Sequence, residues 1–315
     1  MITYYKTDDQ GVLQVLEGPE RGCWISVVCP NGREQAALLE DFNLRREFLR
    51  AALDEEESSY IDRDDDENQT LIIVDYPEED EDSSSSTIVS YITRPIGVIF
   101  TESYLFTICT RPNSTVEQME SGEVKGLDTR YKTRFLLYVL LLISQEYLQD
   151  LRRIERLNQS TERKLFKKMQ NQALMDMLLL SKSLIYFSTS LKAEELTLRR
   201  IVRTRQIPMY EDDKDLLDDV LIEIRQAIEM CTIYSDINAR TSDGFSNVIN
   251  NNMNDIMKRL TVLTLVLSIP NMVYGFYGMN VVDLPLPLVW FPSMLSVVLS
   301  LAAWLYFKHN SGYRS

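Results

Sequence analysis

Histidine is nearly absent from this chain, with one residue, His309, in 315. A single imidazole excludes Ser-His-Asp chemistry and multi-histidine metal centres. Cysteine is sparse too: Cys23, Cys29, Cys109 and Cys231, with no CxxC pair. That spacing excludes a zinc ribbon and a thioredoxin-like motif, and scattered thiols in so long a chain read as reduced residues of a cytosolic compartment. Basic charge is short, since 33 Lys and Arg face 47 Asp and Glu for a net charge of −14. Such an acidic balance argues against nucleic acid as the main partner, because phosphate needs a basic face. With no nucleophile–base pair, phosphate loop or metal-ligand cluster at recognisable spacing, an enzyme is not expected.

Long apolar runs are present, and they lie at one end. Leu260–Met279 and Leu288–Phe307 are each 20 residues without a charge, about what a helix needs to cross a hydrocarbon core of roughly 30 Å. Residues 280–287 between them read as a short turn. From Arg259 onward the chain carries +2, which leaves −16 on the preceding 258 residues. The start, Met1–Lys6, is followed by no apolar segment of the signal-peptide kind, so the acidic part is expected in the cytoplasm. Lys258 and Arg259 precede the first run, Lys308 and Arg314 follow the second, and the turn has no Lys or Arg. The positive-inside rule then places both termini in the cytoplasm. Two further apolar runs, Phe135–Ile143 and Leu174–Leu191, are too short or too interrupted by Asp176 and Lys182 to span, and read as buried faces of soluble helices.

The expected organisation is an α+β cytosolic domain over 1–125, a long-helix region and stalk over 126–258, and a transmembrane hairpin with its loop and tail over 259–315. In the first segment Trp24–Val28, Gln69–Val74, Thr87–Thr93, Gly97–Phe100 and Tyr104–Thr110 read as strands and Glu34–Leu53 as helix. From Leu127 to about Arg205 the pattern is long helix. From Glu211 to Asn280 no proline occurs before Pro270, and Gly244 is the only glycine before Gly275. A continuous helix there would have 70 residues and a length of about 105 Å.

One face of that helix is unusual. Steps of four and three residues meet Asp243, Asn247, Asn250, Asn254, Met257, Thr261, Thr264, Ser268, Asn271, Gly275 and Gly278. Nearly all are polar or small, whereas their neighbours are Leu260, Val262, Leu263, Leu265, Val266, Leu267 and Ile269. A polar stripe at membrane depth cannot face lipid cheaply. It serves either close helix packing through small residues or a water-filled path lined by several copies of the chain. The asparagines favour the second, and a cyclic ring would put the same stripe of every subunit on the axis.

The helix closes on Tyr277-Gly278-Met279-Asn280. This ending, at the outer end of the first of two C-terminal spans, resembles the signature of the CorA family of magnesium channels, and the resemblance extends along essentially the whole chain. It implies a homopentameric funnel in the cell (inner) membrane, with the stalk helix lining the pore and the second span outside it. The implied cargo is Mg2+, often with Co2+ and Ni2+; a ZntB branch moves Zn2+. Gly278, Met279 and Asn280 match the family's selectivity filter. Asn254, Met257, Leu260, Thr264 and Ser268 fall where the family lines its pore, with Met257 and Leu260 as the constriction. Asn250, Thr261, Asn271 and Gly275 continue the same lining stripe. The chain departs from the family in having Ser268 where many members carry a bulky apolar residue. Its Pro270 also falls one residue later than the usual proline, and its external loop offers a lone carboxylate, Asp283. A ring of Asn280 carboxamides would grip the water shell of Mg2+ without holding the ion too tightly to leave.

The acidic runs have two readings. Asp62, Asp64 and Asp66 mimic the start of an EF-hand loop, but Glu67 stands where Gly is needed and Ile73 where the last Glu belongs. Solvated surface accounts for most of the rest. The resemblance adds that regulatory Mg2+ is bound between subunits and holds the pore shut. The candidates on the stalk are Asp215, Asp218 and Asp219, opposite Glu78, Glu79 or Asp80. Low cytosolic Mg2+ would then free mutually repelling acidic domains and open the pore. The partners expected are further copies of the chain, the lipid bilayer and divalent cations. The alternatives are a Zn2+ transporter of the ZntB type and a non-conducting membrane-anchored scaffold.

Overall fold

The computed structural model describes residues 1–80, 88–168, 171–204, 207, 210–211, 213–279, 288 and 290–310. The chain divides into two compact units, Met1–Thr241 and Ser242–Ser315.

The first unit is built on a seven-stranded sheet in the order β2-β1-β3-β7-β6-β5-β4. Its strands are β1 (Ile2–Thr7), β2 (Leu13–Leu16), β3 (Trp24–Val28), β4 (Tyr60–Asp64), β5 (Gln69–Glu79), β6 (Tyr91–Phe100) and β7 (Leu105–Cys109). β3 and β7 run parallel and the other described neighbours antiparallel. Helices α1 (Gly32–Glu40) and α2 (Arg46–Ala52) cover one face; α3 (Ser114–Glu120), α4 (Lys132–Lys168), α5 (Asn171–Thr204) and the start of α6 (Asp213–Tyr277) pack on the other. Both faces are therefore buried, which is why β5 reads as an unbroken apolar run. Leu71 and Ile73 point to α1 and α2, Ile72, Val74 and Tyr76 to the long helices.

The expected single helix Glu34–Leu53 is two helices, because Asn43 takes a left-handed φ of 51° between them. The expected runs Thr87–Thr93 and Gly97–Phe100 include the ends of one strand, β6. Gly97 on it has a steric reason: an added Cβ would lie 2.3 Å from that of Ala52, so only glycine lets α2 seat on the sheet. β1, β2 and β4 were not foreseen. The β1–β2 turn forms because Asp8 Oδ1 accepts from the N–H groups of Gln10 and Val12, both at 2.9 Å, with Gly11 at a φ of +82°. The mock EF-hand residues lie in and beside the β4–β5 turn, where Asp64 accepts from the N–H groups of Asp66 and Glu67.

The long-helix pattern from Leu127 resolves mainly into an antiparallel α4–α5 hairpin. The two short apolar runs are buried helix faces, as expected. Phe135, Leu136, Val139 and Ile143 line one, and Leu180, Leu184, Phe187 and Leu191 line the other. Phe135 meets Trp24 edge-on at 5.2 Å, and Tyr147 meets Phe187 at 4.9 Å.

Two carboxyls lie inside this core. The backbone N–H of Asp75 on β5 donates to Glu194 on α5 at 3.0 Å, and Tyr147 Oη donates to the Asp75 carbonyl at 3.0 Å. Burial, and then Asp75 beside it, hold Glu194 well above the usual carboxylate range; burial pushes Asp75 up to about 6. An unfolded Asp loses its proton near 3.8. Between about pH 4 and 6 the folded chain therefore binds more protons than the unfolded one, and this pair makes stability fall as pH rises. Asp75→Asn should flatten that fall and stabilise the first unit at pH 8 by up to about 3 kcal/mol, at about 1.36 kcal/mol per unit of pKa. Thermal unfolding from pH 4 to 8 checks it, and an unaltered profile would contradict the assignment.

In the second unit, α6 runs on to Tyr277 and α7 spans Trp290–Asn310. Both helices are long and apolar enough to cross a membrane. The expected helix Glu211–Asn280 is thus slightly shorter, Asp213–Tyr277. Asp213 sits wholly buried at its start, paired with Arg134 Nε at 2.9 Å. Within the helix, Pro270 has no N–H for the carbonyl of Val266 four residues back. Ser300 Oγ on α7 donates to that carbonyl at 3.4 Å, so the neighbouring helix satisfies what the proline leaves open. Ser300→Ala should cost about 1 kcal/mol in detergent unfolding; no loss would mean that this carbonyl finds another donor.

Candidate ion path and metal-binding residues

The packing of α7 fixes which face of α6 is spoken for. Val262, Val266, Ile269, Pro270 and Tyr277 are half-buried and Val273 is buried. Around them Tyr274 Oη donates to Ser293 Oγ at 3.1 Å, the Tyr277 and Phe291 rings lie 6.3 Å apart, and Val266, Leu267 and Pro270 line a cavity with Ser296, Val297, Ser300, Leu301 and Trp304. At 3.6 residues per turn these positions form one stripe, and the polar stripe points roughly the opposite way. Asn250, Asn254, Met257, Leu260, Thr261, Thr264, Ser268, Asn271 and Gly275 are all exposed in the chain.

The hydroxyls on that free face have a defined role. Thr261, Thr264 and Ser268 each donate to a carbonyl of the preceding turn, those of Met257, Leu260 and Leu265, at 2.8 Å. Each hydrogen is spent inside the helix, and each oxygen keeps lone pairs directed outward. The stripe therefore presents acceptors, which suit a cation and its water shell. Met257 and Leu260 interrupt it with apolar bulk; each is 55% exposed.

At the helix end the Gly278 N–H donates to the Tyr274 carbonyl at 2.8 Å. An added Cβ at Gly278 would lie 3.1 Å from that same oxygen. That approach is tight, and Gly278 is not among the glycines with a positive φ. Met279 is 56% exposed. Asn280, the third residue of the expected filter, and Asp283 lie outside the described residues.

The regulatory candidates fall in two places. Asp215, Asp218 and Asp219 are exposed on α6 and make no ion pair among the described residues. Glu78 and Glu79, at the end of β5, are engaged: Glu78 pairs with Arg94, which also binds Glu55, and Glu79 pairs with Arg153 Nη1 at 2.9 Å. Asp80 accepts from Ser90 Oγ at 3.4 Å. Glu78 and Glu79 line a cleft of about 570 Å3 with Glu146, Asp150 and Arg153. Burial, then Glu146, push Asp150 up to about 7. Glu146 and Asp150 escaped the sequence reading, although their spacing of four on α4 puts them on one face. Within one chain, no group of three or more described Asp, Glu, His or Cys residues is placed to hold a metal ion.

These features are a pair of helices long and apolar enough to cross a membrane, the first polar along its free face, in a chain that also holds a large acidic α+β unit. The chain matches the family described as CorA-like Mg2+ transporter protein over residues 19–309, and it belongs to that family. The cobalt/magnesium transport protein CorA of Methanocaldococcus jannaschii is 29% identical over 184 residues, a match spanning 57% of this chain and 58% of that protein. Among solved structures, the complete CorA magnesium transporter of Methanocaldococcus jannaschii is similar with a TM-score of 0.82 at 23% identity, covering 100% of this chain and 98% of that one. The ZntB cytoplasmic domain of Vibrio parahaemolyticus is similar with a TM-score of 0.61 at 13% identity, covering 80% of this chain and 98% of that domain. At such identities the structural likenesses show the fold.

Proposed function

We propose that the chain assembles as a homopentamer around the free face of α6 and conducts Mg2+ into the cytoplasm. The observation that carries this reading is that the acceptor-rich stripe lies opposite α7. A chain of its own leaves that stripe exposed, and in a bilayer it needs either water or other copies of itself. Both termini and the acidic unit lie on the cytoplasmic side of the cell (inner) membrane. The segments 1–125, 126–258 and 259–315 act as sensor layer, helical stalk and pore hairpin.

Met257 and Leu260 form the apolar constriction, and Gly278, Met279 and Asn280 the outer filter. Hydrated Mg2+ moves along the stripe by exchanging hydrogen bonds from its waters to amide and hydroxyl oxygens, which bind weakly enough to release it. The membrane potential drives entry, at about 4.6 kcal/mol for two charges per 100 mV. Intracellular Mg2+ bound between subunits at Asp215, Asp218 and Asp219, facing Glu78, Glu79 or Asp80, offsets the repulsion of acidic neighbours and favours the closed ring. It can shift the equilibrium only by its preference for that state.

Co2+ is a second cargo of the same path, in line with the cobalt/magnesium transport protein it resembles. The experiment is flux of Mg2+, Co2+ and Zn2+ into proteoliposomes holding the full chain or its Asn280→Ala variant. Mg2+ entry that the variant abolishes supports the reading. Zn2+ flux without Mg2+ flux would replace it with a ZntB-type carrier, and no flux of any ion would leave a scaffold.

A further inference from the structure

Away from the stripe and the regulatory carboxylates, the first unit holds a small cavity with a mixed polar and apolar wall, in which two glutamates and two buried asparagines come together. It has a volume of about 220 Å3 and is lined by Glu155, Asn158, Gln159 and Glu162 of α4, Met177 of α5, and Tyr234, Asn238 and Thr241 of α6 with Ile237 between them. The spacings of three and four residues put each set on one face of its helix.

Two amides there are incomplete. Asn158 is 8% and Asn238 4% exposed, and the Oδ1 atom of each is buried without a hydrogen-bond partner. The orientation at Asn238 is fixed by its neighbours. Ser181 Oγ donates to the Met177 carbonyl at 2.9 Å, so its hydrogen is spent, and it accepts from Asn238 Nδ2 at 3.2 Å. The amide nitrogen is thereby used, and the oxygen is what Asn238 has left to offer. A buried carbonyl without a donor costs about 1–3 kcal/mol, and here two lie beside one cavity. Glu155 accepts two hydrogen bonds: Tyr234 Oη donates to its Oε2 at 3.0 Å and Gln159 Nε2 to its Oε1 at 3.3 Å. Glu162 adds a second carboxylate, and among the described residues no Lys or Arg lines the cavity.

We propose that this cavity between α4, α5 and α6 is a binding site for a divalent cation within a single chain. Asn158 and Asn238 supply carboxamide oxygens, and Glu155 and Glu162 supply the charge. An anion would meet two carboxylates, and a soft metal would find no thiolate or imidazole; hard cations take this donor set. At roughly 30 Å3 per water the volume admits an ion with most of its shell. The site is distinct from the regulatory aspartates of α6, and it stands whether or not the chain conducts. Bound there, the ion would tie the α4–α5 hairpin to α6.

The test is Mn2+ binding, followed by electron paramagnetic resonance, to full-length protein in detergent. The protein carries Asp218→Asn and Asp219→Asn so that the regulatory residues do not contribute. One Mn2+ per chain, displaced by Mg2+, weakened at least tenfold by Glu162→Gln or Asn158→Leu and tightened by Asn158→Asp, is the expected result. Thermal unfolding of each variant without metal checks that it folds, and Asn158→Asp serves where Asn158→Leu fails. Mn2+ binding that none of these substitutions alters, or a count of zero in the folded starting protein, would overturn the proposal.

Discussion

Leucine at both Thr264 and Ser268 should reduce Mg2+ flux at least about tenfold, while leucine at Val262 should leave it within about twofold. The hydroxyls of these two residues set the difference. Each spends its hydrogen on the helix and turns its oxygen outward, so each subunit would contribute one oxygen to each of two acceptor rings. Leucine removes both and joins them to Leu260 and Met257. The lining from Met257 to position 268, about three turns or close to 16 Å, then keeps Thr261 as its one hydroxyl among apolar side chains. Narrow apolar segments of that length gate by expelling water, and Mg2+, reluctant to shed its shell, cannot cross a dry one. Val262 lies on the half-buried face towards α7, where an extra methylene perturbs packing and not the path. Flux through reconstituted protein measures the difference; equal losses at the two faces would dissociate the stripe from conduction.

Lysine at Asp218 and Asp219 should raise the internal Mg2+ needed for half-inhibition by at least about tenfold, the equivalent of about 1.4 kcal/mol of coupling. These carboxylates are exposed and make no ion pair among the described residues, so the substitution removes ligand charge without stripping a structural partner. Glu78 is the contrasting case. It pairs with Arg94, whose side chain is 11% exposed and also binds Glu55. Glu78→Gln should therefore destabilise the first unit, because it leaves a buried guanidinium under-compensated. Inhibition measured in inside-out patches separates the two. An unmoved inhibition curve in the Asp218→Lys, Asp219→Lys variant would remove those residues from the gating site.

The membrane hairpin was legible because its signals are local. A 20-residue run without charge and a stripe at steps of three and four are properties of neighbours along one helix. The buried faces at Phe135–Ile143 and Leu174–Leu191 were legible for the same reason. What stayed hidden was fixed by tertiary contact. The split of Glu34–Leu53 depends on the left-handed Asn43, a position with no unique sequence mark. β2 and β4 are the edge strands and β1 lies next to one of them, and their half-exposed residues carry weak patterning. Ser300 looked like one more small residue of a span, and its use appears only where Pro270 frees the Val266 carbonyl beside it. Glu78 and Glu79 looked as available as any acidic pair until Arg94 and Arg153 were found on them. Asn158 and Asn238, 80 positions apart in the chain, could be joined only by the fold.

The claim on which the account rests is that one side of α6 faces water and the other faces α7. Single cysteines placed in turn from Met257 to Gly275, after Cys23, Cys29, Cys109 and Cys231 are replaced, test it in the open channel with a charged, water-soluble thiol reagent. Modification should block Mg2+ current at positions 257, 261, 264, 268, 271 and 275 and spare 262, 266, 269 and 273. Block with no such periodicity, or reaction confined to the second set, would contradict it.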